Sequence, residues 1–553
     1  MNTAVNESET SRGTGILLVR REEEPGRRFA GYLEEILLAE GFVSHGVLAL
    51  RPGERLAAAH IAGATAVLLD TGEVDAGEAQ ALDDFVAAGG SLIAMRPPRE
   101  LAALCGLQYT GSTTGNGYVI VEARHPLSRG LCPEALQYHG QSDLCLLAGA
   151  EALAWLGVFS HRATQYPAVA TRRHGKGKVA AFTYDLALST VTFHQGRPER
   201  VEPGPDGISR PCYRFAGQVD PDRLALPQAD LQQRFLVKLL QWAASHRHPL
   251  PRLWYFPRRA RAAALITGDS DGCCKEDIAL IADVVESFGG AYTTYILESD
   301  HPSLPPEFVA EMRARGHSFG PHIWCGRNPS PDEMHNAVRE QTARYAERYG
   351  HRPKTYRGHW LIWVGWVDMA KYLAEVGIAL DTNFVSGIVC RAGYMTGSGL
   401  PMRFIDESGR FIPCSEQPTQ WEDDCHIEGT SYYSEGYSIP AAIEATREMF
   451  DRSRREFHTM INLNLHPIHV RTSLQTLSWI RETARHCHEN GIPMLAGDEW
   501  VEFNGARRSA SITDLRWEGP DLCFAVHAAE AVQGLTVALP SVLPVRRVVE
   551  IRV

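Results

Sequence analysis

The chain has 553 residues, 44% of them hydrophobic and 22% charged, with a formal charge of −11; that length is several times one ordinary core and implies three or four domains. The negative balance, with no basic stripe threaded with aromatics, excludes a nucleic-acid partner, and no apolar run reaches the length that spans a bilayer. Twelve cysteines scattered without metal-knuckle spacing exclude a disulfide framework and fit reduced thiols in a cytoplasm.

Residues 1–13 are polar, contain acids and lack an apolar core, so they are expected to be a disordered lead-in and not a signal peptide, which places the protein in the cytoplasm. Residues 15–19 (GILLV) read as a buried strand, 28–40 as an amphipathic helix with Leu33, Ile36 and Leu37 on one face, and Gly41 as its stop. A second strand follows at 66–70 (AVLLD), then a helix ending at Gly89-Gly90, then a third strand at 91–95. Alternation of this kind predicts a doubly wound sheet. Together with the run 174–191 (HGKGKVAAFTYDLALSTV), residues 14–192 resemble the class I glutamine amidotransferase-like fold. That fold places a cysteine nucleophile on the sharp turn after the third strand, where this chain reads Met95-Arg96-Pro97-Pro98. Cys105 falls in the next helical pattern and reads as a small buried hydrophobe. The domain is therefore expected to be non-catalytic, a module for binding or subunit contact.

Residues 193–248 are expected to form a proline- and glycine-rich linker and a helix. The next stretch, 261–276 (RAAALITGDSDGCCKE), is the richest in chemistry. Residues 262–266 form a short buried strand, and on an extended chain Thr267, Asp269 and Asp271 share one face at its carboxyl end. Two acids there suit metal-assisted hydrolysis, one holding an ion while the other takes a proton. In isolation the same pair reads more simply as turn and N-cap chemistry, so partners elsewhere must decide. Helices are expected at 277–288, 306–315, 331–349, 367–375 and 473–489, the third opened by Ser330-Pro331-Asp332-Glu333 with a capping box. Strands are expected at 291–297, 317–322, 355–357, 377–381 and 458–466. Over residues 249–506 this predicts a parallel (β/α) barrel. Residues 507–553 switch to short alternating apolar segments around Pro540 and Pro544, a small β module.

Three further strand ends carry polar groups. His322 closes HSFGPH, Arg357 and His359 lie in RGHW, and His466 ends HTMINLNLH, in which Asn462, Asn464 and His466 share a face. In this order the motifs resemble the polysaccharide deacetylase (NodB-homology) family, a deformed (β/α) barrel of metal-dependent amide hydrolases. The resemblance implies Asp269 as catalytic base, Asp271 and His322 as metal ligands, Arg357 as the group orienting the base, Asp381 as the fourth-motif aspartate and His466, after Leu465, as general acid. It also implies a divalent metal, zinc first. The family's second metal-binding histidine falls at Gly326, which is a departure. His359, just past a strand end, is the substitute expected as third ligand; Asn328 is a poorer donor for zinc, and His317 lies at the opposite end of its strand.

The expected function is removal of an acyl group, most simply acetyl, from an amide nitrogen of a sugar or glycoconjugate. The alternatives are hydrolysis of a non-peptide carbon–nitrogen bond in a cyclic amide, and a non-catalytic glycan-binding protein on a lapsed barrel. A carbohydrate or small-molecule substrate is expected, with no nucleic acid and no membrane; assembly into a homo-oligomer is left open. Residues 393–424 read as a long loop shaping the pocket, and Trp360, Trp363, Trp366 and Trp421 as candidates for stacking on sugar rings or as core.

Overall fold

A computed structural model of the chain describes residues 14–24, 26–299, 304–387, 391–431, 433–472, 474–519, 521–528 and 532–540. The lead-in expected over residues 1–13 and the segment around Pro544 lie outside them. The described chain is mixed α/β and divides into two compact units. One contains residues up to Val191 with Leu231–Trp254 and Ala506 onward, the other Thr192–Asp230 with Tyr255–Gly505.

In the first unit, five strands run parallel in the order His45–Leu50, Ile16–Arg21, Ala66–Asp70, Ser91–Met95 and Gly177–Phe182. Ala66–Asp70 and Ser91–Met95 are buried at every position, as continuous apolar runs between covering layers should be. The helix Ala76–Ala87 is opened by Asp75, which accepts from the Glu78 backbone N–H while Glu78 reaches back to the Asp75 N–H. The other half of the sheet departs from a doubly wound plan. Arg162–His174, Glu151–Phe159, Tyr118–Val121 and Leu136–Gln137 continue it antiparallel. The carboxyl-terminal module is a hairpin, Ser511–Glu518 with Asp521–His527, whose Ile512 packs with Ala510, Leu253 and Val43 inside this unit. Arg507 fixes its entry by donating to the carbonyls of Trp254, Leu253, Leu38 and Ala39.

In the second unit, Ala263–Asp269 is flanked by Tyr292–Ile296 on one edge and Met460–Leu465 on the other, all parallel. The sheet continues through Ser318–Ile323, Thr355–Gly358, Leu380–Asp381 and Phe411–Glu416, with Met402–Ile405 antiparallel at that end and Trp421–Glu422 at the other. Among the described residues these two terminal strands do not pair, so the expected barrel is a curled sheet left open. Two expectations are corrected here. Residues 393–424 are no pocket loop but supply three of these strands, because their alternating apolar residues Met402, Phe404, Ile412 and Cys414 are all buried. The proline-rich stretch before Asp230 is no free linker either. Arg214, buried, donates to the carbonyls of Trp366 and Gly365, and Gln195 clasps both backbone groups of Ile405 at 2.9 Å. Its prolines and glycines turn a chain whose polar groups are met by hydrogen bonds.

No helix among the described residues is long and apolar enough to cross a membrane.

Candidate active site

The strand Ala263–Asp269 ends in Asp269, which is 3% exposed, and the chain turns at Gly272 with φ 61° before the helix Lys275–Glu286. The cap of that helix belongs to Cys274 and Asp277, whose Oδ2 accepts the Cys274 backbone N–H at 3.0 Å. Neither Asp269 nor Asp271 is engaged in it. The turn-and-cap reading of the pair thereby loses its ground.

Asp271 faces two imidazoles. Its Oδ1 is 3.3 Å from His322 Nε2, its Oδ2 is 3.2 Å from His359 Nδ1, and the two ring nitrogens are 3.2 Å apart. Ligands about 2.0–2.1 Å from a tetrahedral zinc stand about 3.3 Å from one another, so the three atoms have the spacing of one face of such a site. The tautomer agrees. His322 Nδ1 lies 2.9 Å from the Arg357 carbonyl, which only accepts, so this nitrogen carries the proton and Nε2 turns its lone pair toward Asp271 and His359. Asp271, His322 and His359 are the residues that would hold a divalent ion. Gly326 adopts φ 111°, which disfavours any side chain at the family's usual second-histidine position. The third candidate ligand is instead His359, immediately beyond the strand Thr355–Gly358.

Asp269 is held on its other side. Arg357, fully buried, donates through Nη1 to Asp269 Oδ1 at 3.3 Å and to Asn464 Oδ1 at 2.5 Å, and through Nη2 to Thr267 Oγ1 at 3.0 Å. Asn464 Nδ2 completes the cradle, donating to Asp269 Oδ2 at 3.0 Å. Asp269 therefore keeps a fixed orientation beside the candidate metal ligands.

His466 closes the site. Its Nε2 lies 4.0 Å from both Asp269 Oδ2 and Asp271 Oδ2, while Nδ1 donates to Asp423 Oδ1 at 2.7 Å. Burial would lower its pKa, but the Asp424 and Asp423 carboxylates outweigh burial and hold it well above the ordinary imidazole value. His469 Nε2 and Asp424 Oδ1 are a further pair at 2.5 Å. The group Asp423, Asp424, His466 and His469 is compact enough for a cation, yet its contacts of 2.5 and 2.7 Å are those of charge-assisted hydrogen bonds, well under the spacing about a metal.

Asp381 does not reach this cluster, which corrects its expected role. It is buried, accepts from the Asn383 backbone N–H at 3.2 Å and side chain at 3.0 Å, and burial pushes its pKa well up. Asn383 Oδ1 in turn accepts the Gly358 N–H at 2.8 Å, so Asp381 acts through the strand end that carries Arg357 and His359. The carboxylate that touches His466 is Asp423, which sequence reasoning missed because WEDD looked like loop; its signal was three acids directly after a tryptophan of strand type. Asn464 was visible by its shared face with His466, without a role. Of the four tryptophans, Trp363, Trp366 and Trp421 are core, 0%, 3% and 0% exposed, and only Trp360 reaches solvent.

The first unit has a comparable place, the carboxyl ends of its parallel strands, and there the chemistry is closed. Arg96 takes the elbow after Ser91–Met95 with φ 39° and grips Asp143 through two hydrogen bonds of 3.0 and 2.9 Å. Arg27 donates to Asp70 Oδ1 and to the Arg96 carbonyl, each at 2.9 Å. Cys105 is 2% exposed, and burial, with Cys145 nearby, pushes its thiol up to about 12. That is the state of an inert core cysteine.

No family model matches this chain, and no curated protein matches it. Among solved structures, a Mycobacterium smegmatis protein assigned as a polysaccharide deacetylase is 16% identical, the match covering 47% of this chain and 96% of that one, with TM-score 0.38. A β-galactosidase from Bacillus circulans sp. alkalophilus is 14% identical over 31% of this chain and 28% of its own, TM-score 0.25. A cytoplasmic protein from Salmonella typhimurium LT2 is 13% identical over 31% of this chain and 87% of its own, TM-score 0.24.

Proposed function

We propose that the second unit is a metal-dependent amide hydrolase that removes an acyl group, most simply acetyl, from the nitrogen of an amino sugar or glycoconjugate. The observation that carries this reading is the convergence of three groups on one point: the metal-spaced Asp271, His322 and His359, the arginine-paired Asp269, and His466 about 4 Å away.

A divalent ion held by Asp271, His322 and His359, zinc first, would polarise the amide carbonyl and ease ionisation of a water. Asp269 takes the proton of the attacking water as its oxygen joins the carbonyl carbon. Arg357 and Asn464 keep Asp269 turned toward that water. His466, protonated and oriented by Asp423, gives its Nε2 proton to the nitrogen as the carbon–nitrogen bond breaks. The amine leaves, the acid remains, and the proton on Asp269 lies within reach of His466 for the next turnover.

With His359 in place of the histidine missing at Gly326, the reason to regard the barrel as lapsed is weaker. The test is an activity screen of purified, metal-analysed protein against N-acetylated sugars and cyclic amides. Acetate release that is lost on chelation and restored by zinc supports the reading. Turnover of cyclic amides alone would move the enzyme to the other reaction, and sugar binding without turnover would make it a binding protein.

A further inference from the structure

The loop that replaces the family's second histidine carries a cation to the site. After Ser318–Ile323 the chain runs through Trp324 to Gly326, whose φ of 111° swings Arg327 over the ring of Trp360, with the guanidinium carbon 4.9 Å from its centroid. Trp360 in turn stacks on His359, centroids 5.5 Å apart at 28°, and Trp324 meets both edge-on at 4.8 and 4.9 Å. This stack is held under strain. Trp360 and Leu361 are consecutive non-glycine residues at φ 56° and 57°, a conformation that persists only where surrounding structure enforces it. Trp360 is 39% exposed, so the stack opens to solvent at the mouth. The ring is not a bare platform for a sugar, because a guanidinium and an imidazole already lie against it. It works as a bracket, and what it presents is Arg327, exposed and in no ion pair among the described residues. The acids of the candidate site, Asp269, Asp271, Asp423 and Asp424, are each engaged with histidine or arginine.

We propose that Arg327, bracketed by Trp360 beside the candidate metal ligand His359, recognises an anionic group on the substrate, a carboxylate or a phosphate ester. The substrate class is then an acidic N-acylated amino sugar, and this inference rests on the amide-hydrolase reading above. A guanidinium braced on an aromatic face is pre-organised for such oxygens, since its donors stay directed outward and little side-chain freedom remains to be lost.

The test is binding, so that it does not depend on turnover. The zinc-loaded full-length Asp269→Asn variant is titrated by calorimetry with N-acetylglucosamine, its 6-phosphate and its 6-carboxylate analogue, with and without Arg327→Gln. The expected result is about ten- to hundred-fold tighter binding of one or both anionic ligands than of the neutral sugar. Which anion binds tighter separates phosphate from carboxylate recognition. Arg327→Gln should erase that preference while leaving the neutral sugar within about two-fold, which also shows that the variant is folded. Equal binding of all three ligands, or a preference that survives Arg327→Gln, overturns the inference while leaving the hydrolase reading intact. Binding of none of them, with no acetate released from any by wild type, overturns both.

Discussion

The two units each gather charged side chains at the carboxyl ends of a parallel sheet, and they use them in opposite ways. In the first, Arg27 donates to Asp70 and Arg96 pairs with Asp143, so each guanidinium is engaged and the elbow is plugged by an ion pair. In the second, Arg357 serves Asp269, but Asp271, His322 and His359 converge with no arginine or lysine between them. Sheet topology brings polar groups to that end in either case. What separates a scaffold from a candidate reaction centre is whether ligand positions are left to be completed from outside, an arrangement that local stability alone would not select.

The largest effects should come from breaking the open site. Asp269→Asn is expected to abolish turnover with metal content unchanged, because the base is lost while the three candidate ligands stay. Asp271→Asn should lower both. Equal metal stoichiometry and similar residual rates in the two variants would show that the acids do not divide their work in this way. Metal analysis extends the comparison to the imidazoles. His359→Ala should lose as much zinc as His322→Ala, and full occupancy in the His359 variant would reduce that residue to a substrate contact.

His466→Ala should slow turnover by about two to four powers of ten, the usual worth of a general acid. Asp423→Asn should cost less and move the alkaline limb of the rate profile to lower pH. The sign follows from the carboxylates that now raise the His466 pKa. Near-normal rates of His466→Ala on a poor leaving amine would remove it from the mechanism.

Much of this site was legible in the sequence because strand ends announce themselves. TGDSDG and NLNLH each close an apolar run with polar residues at alternate positions, RGHW sits at a short strand end, and the structure brings Asp269, Asp271, His322, Arg357, His359 and His466 together. Asp381 and Asp423 were exchanged for a physical reason. The strand ending at Asp381 was expected from the sequence, whereas Trp421–Glu422, two residues long, is too short for periodicity to mark it. A different limit hid the antiparallel half of the first sheet, whose strands mix buried and exposed positions, and prolines that mimic a linker hid the burial of the stretch around Arg214. Arg96 was seen only as the absence of a cysteine; its bond to Asp143, across 47 residues, depends on tertiary structure.

On the closed side the expected effects are small. The intact chain should release no ammonia from glutamine, and Cys105→Ala should change only stability, by about 1 kcal/mol. Ammonia release that this substitution abolishes would reopen the first unit as an enzyme.

The smallest effect concerns Asp70, and it tests whether the first unit's charges are structural. Burial and the neighbouring Asp185 carboxylate push the Asp70 pKa up to about 8, against the pull of Arg27. An unfolded aspartate titrates near about 3.9, so between these values the native chain keeps a proton that the unfolded chain gives up. A group raised in this way contributes stability that is complete below about pH 4 and is lost as the pH climbs through about 8. Asp70→Asn removes the titration yet keeps a side-chain oxygen for Arg27 Nη1, which now donates to Asp70 at 2.9 Å. Thermal unfolding from pH 4 to pH 9 should therefore show the variant gaining on the wild type as pH rises, by on the order of 2–4 °C for each kcal/mol of native strain relieved. Parallel curves would mean that Arg27 holds Asp70 ionised throughout, as a plain salt bridge.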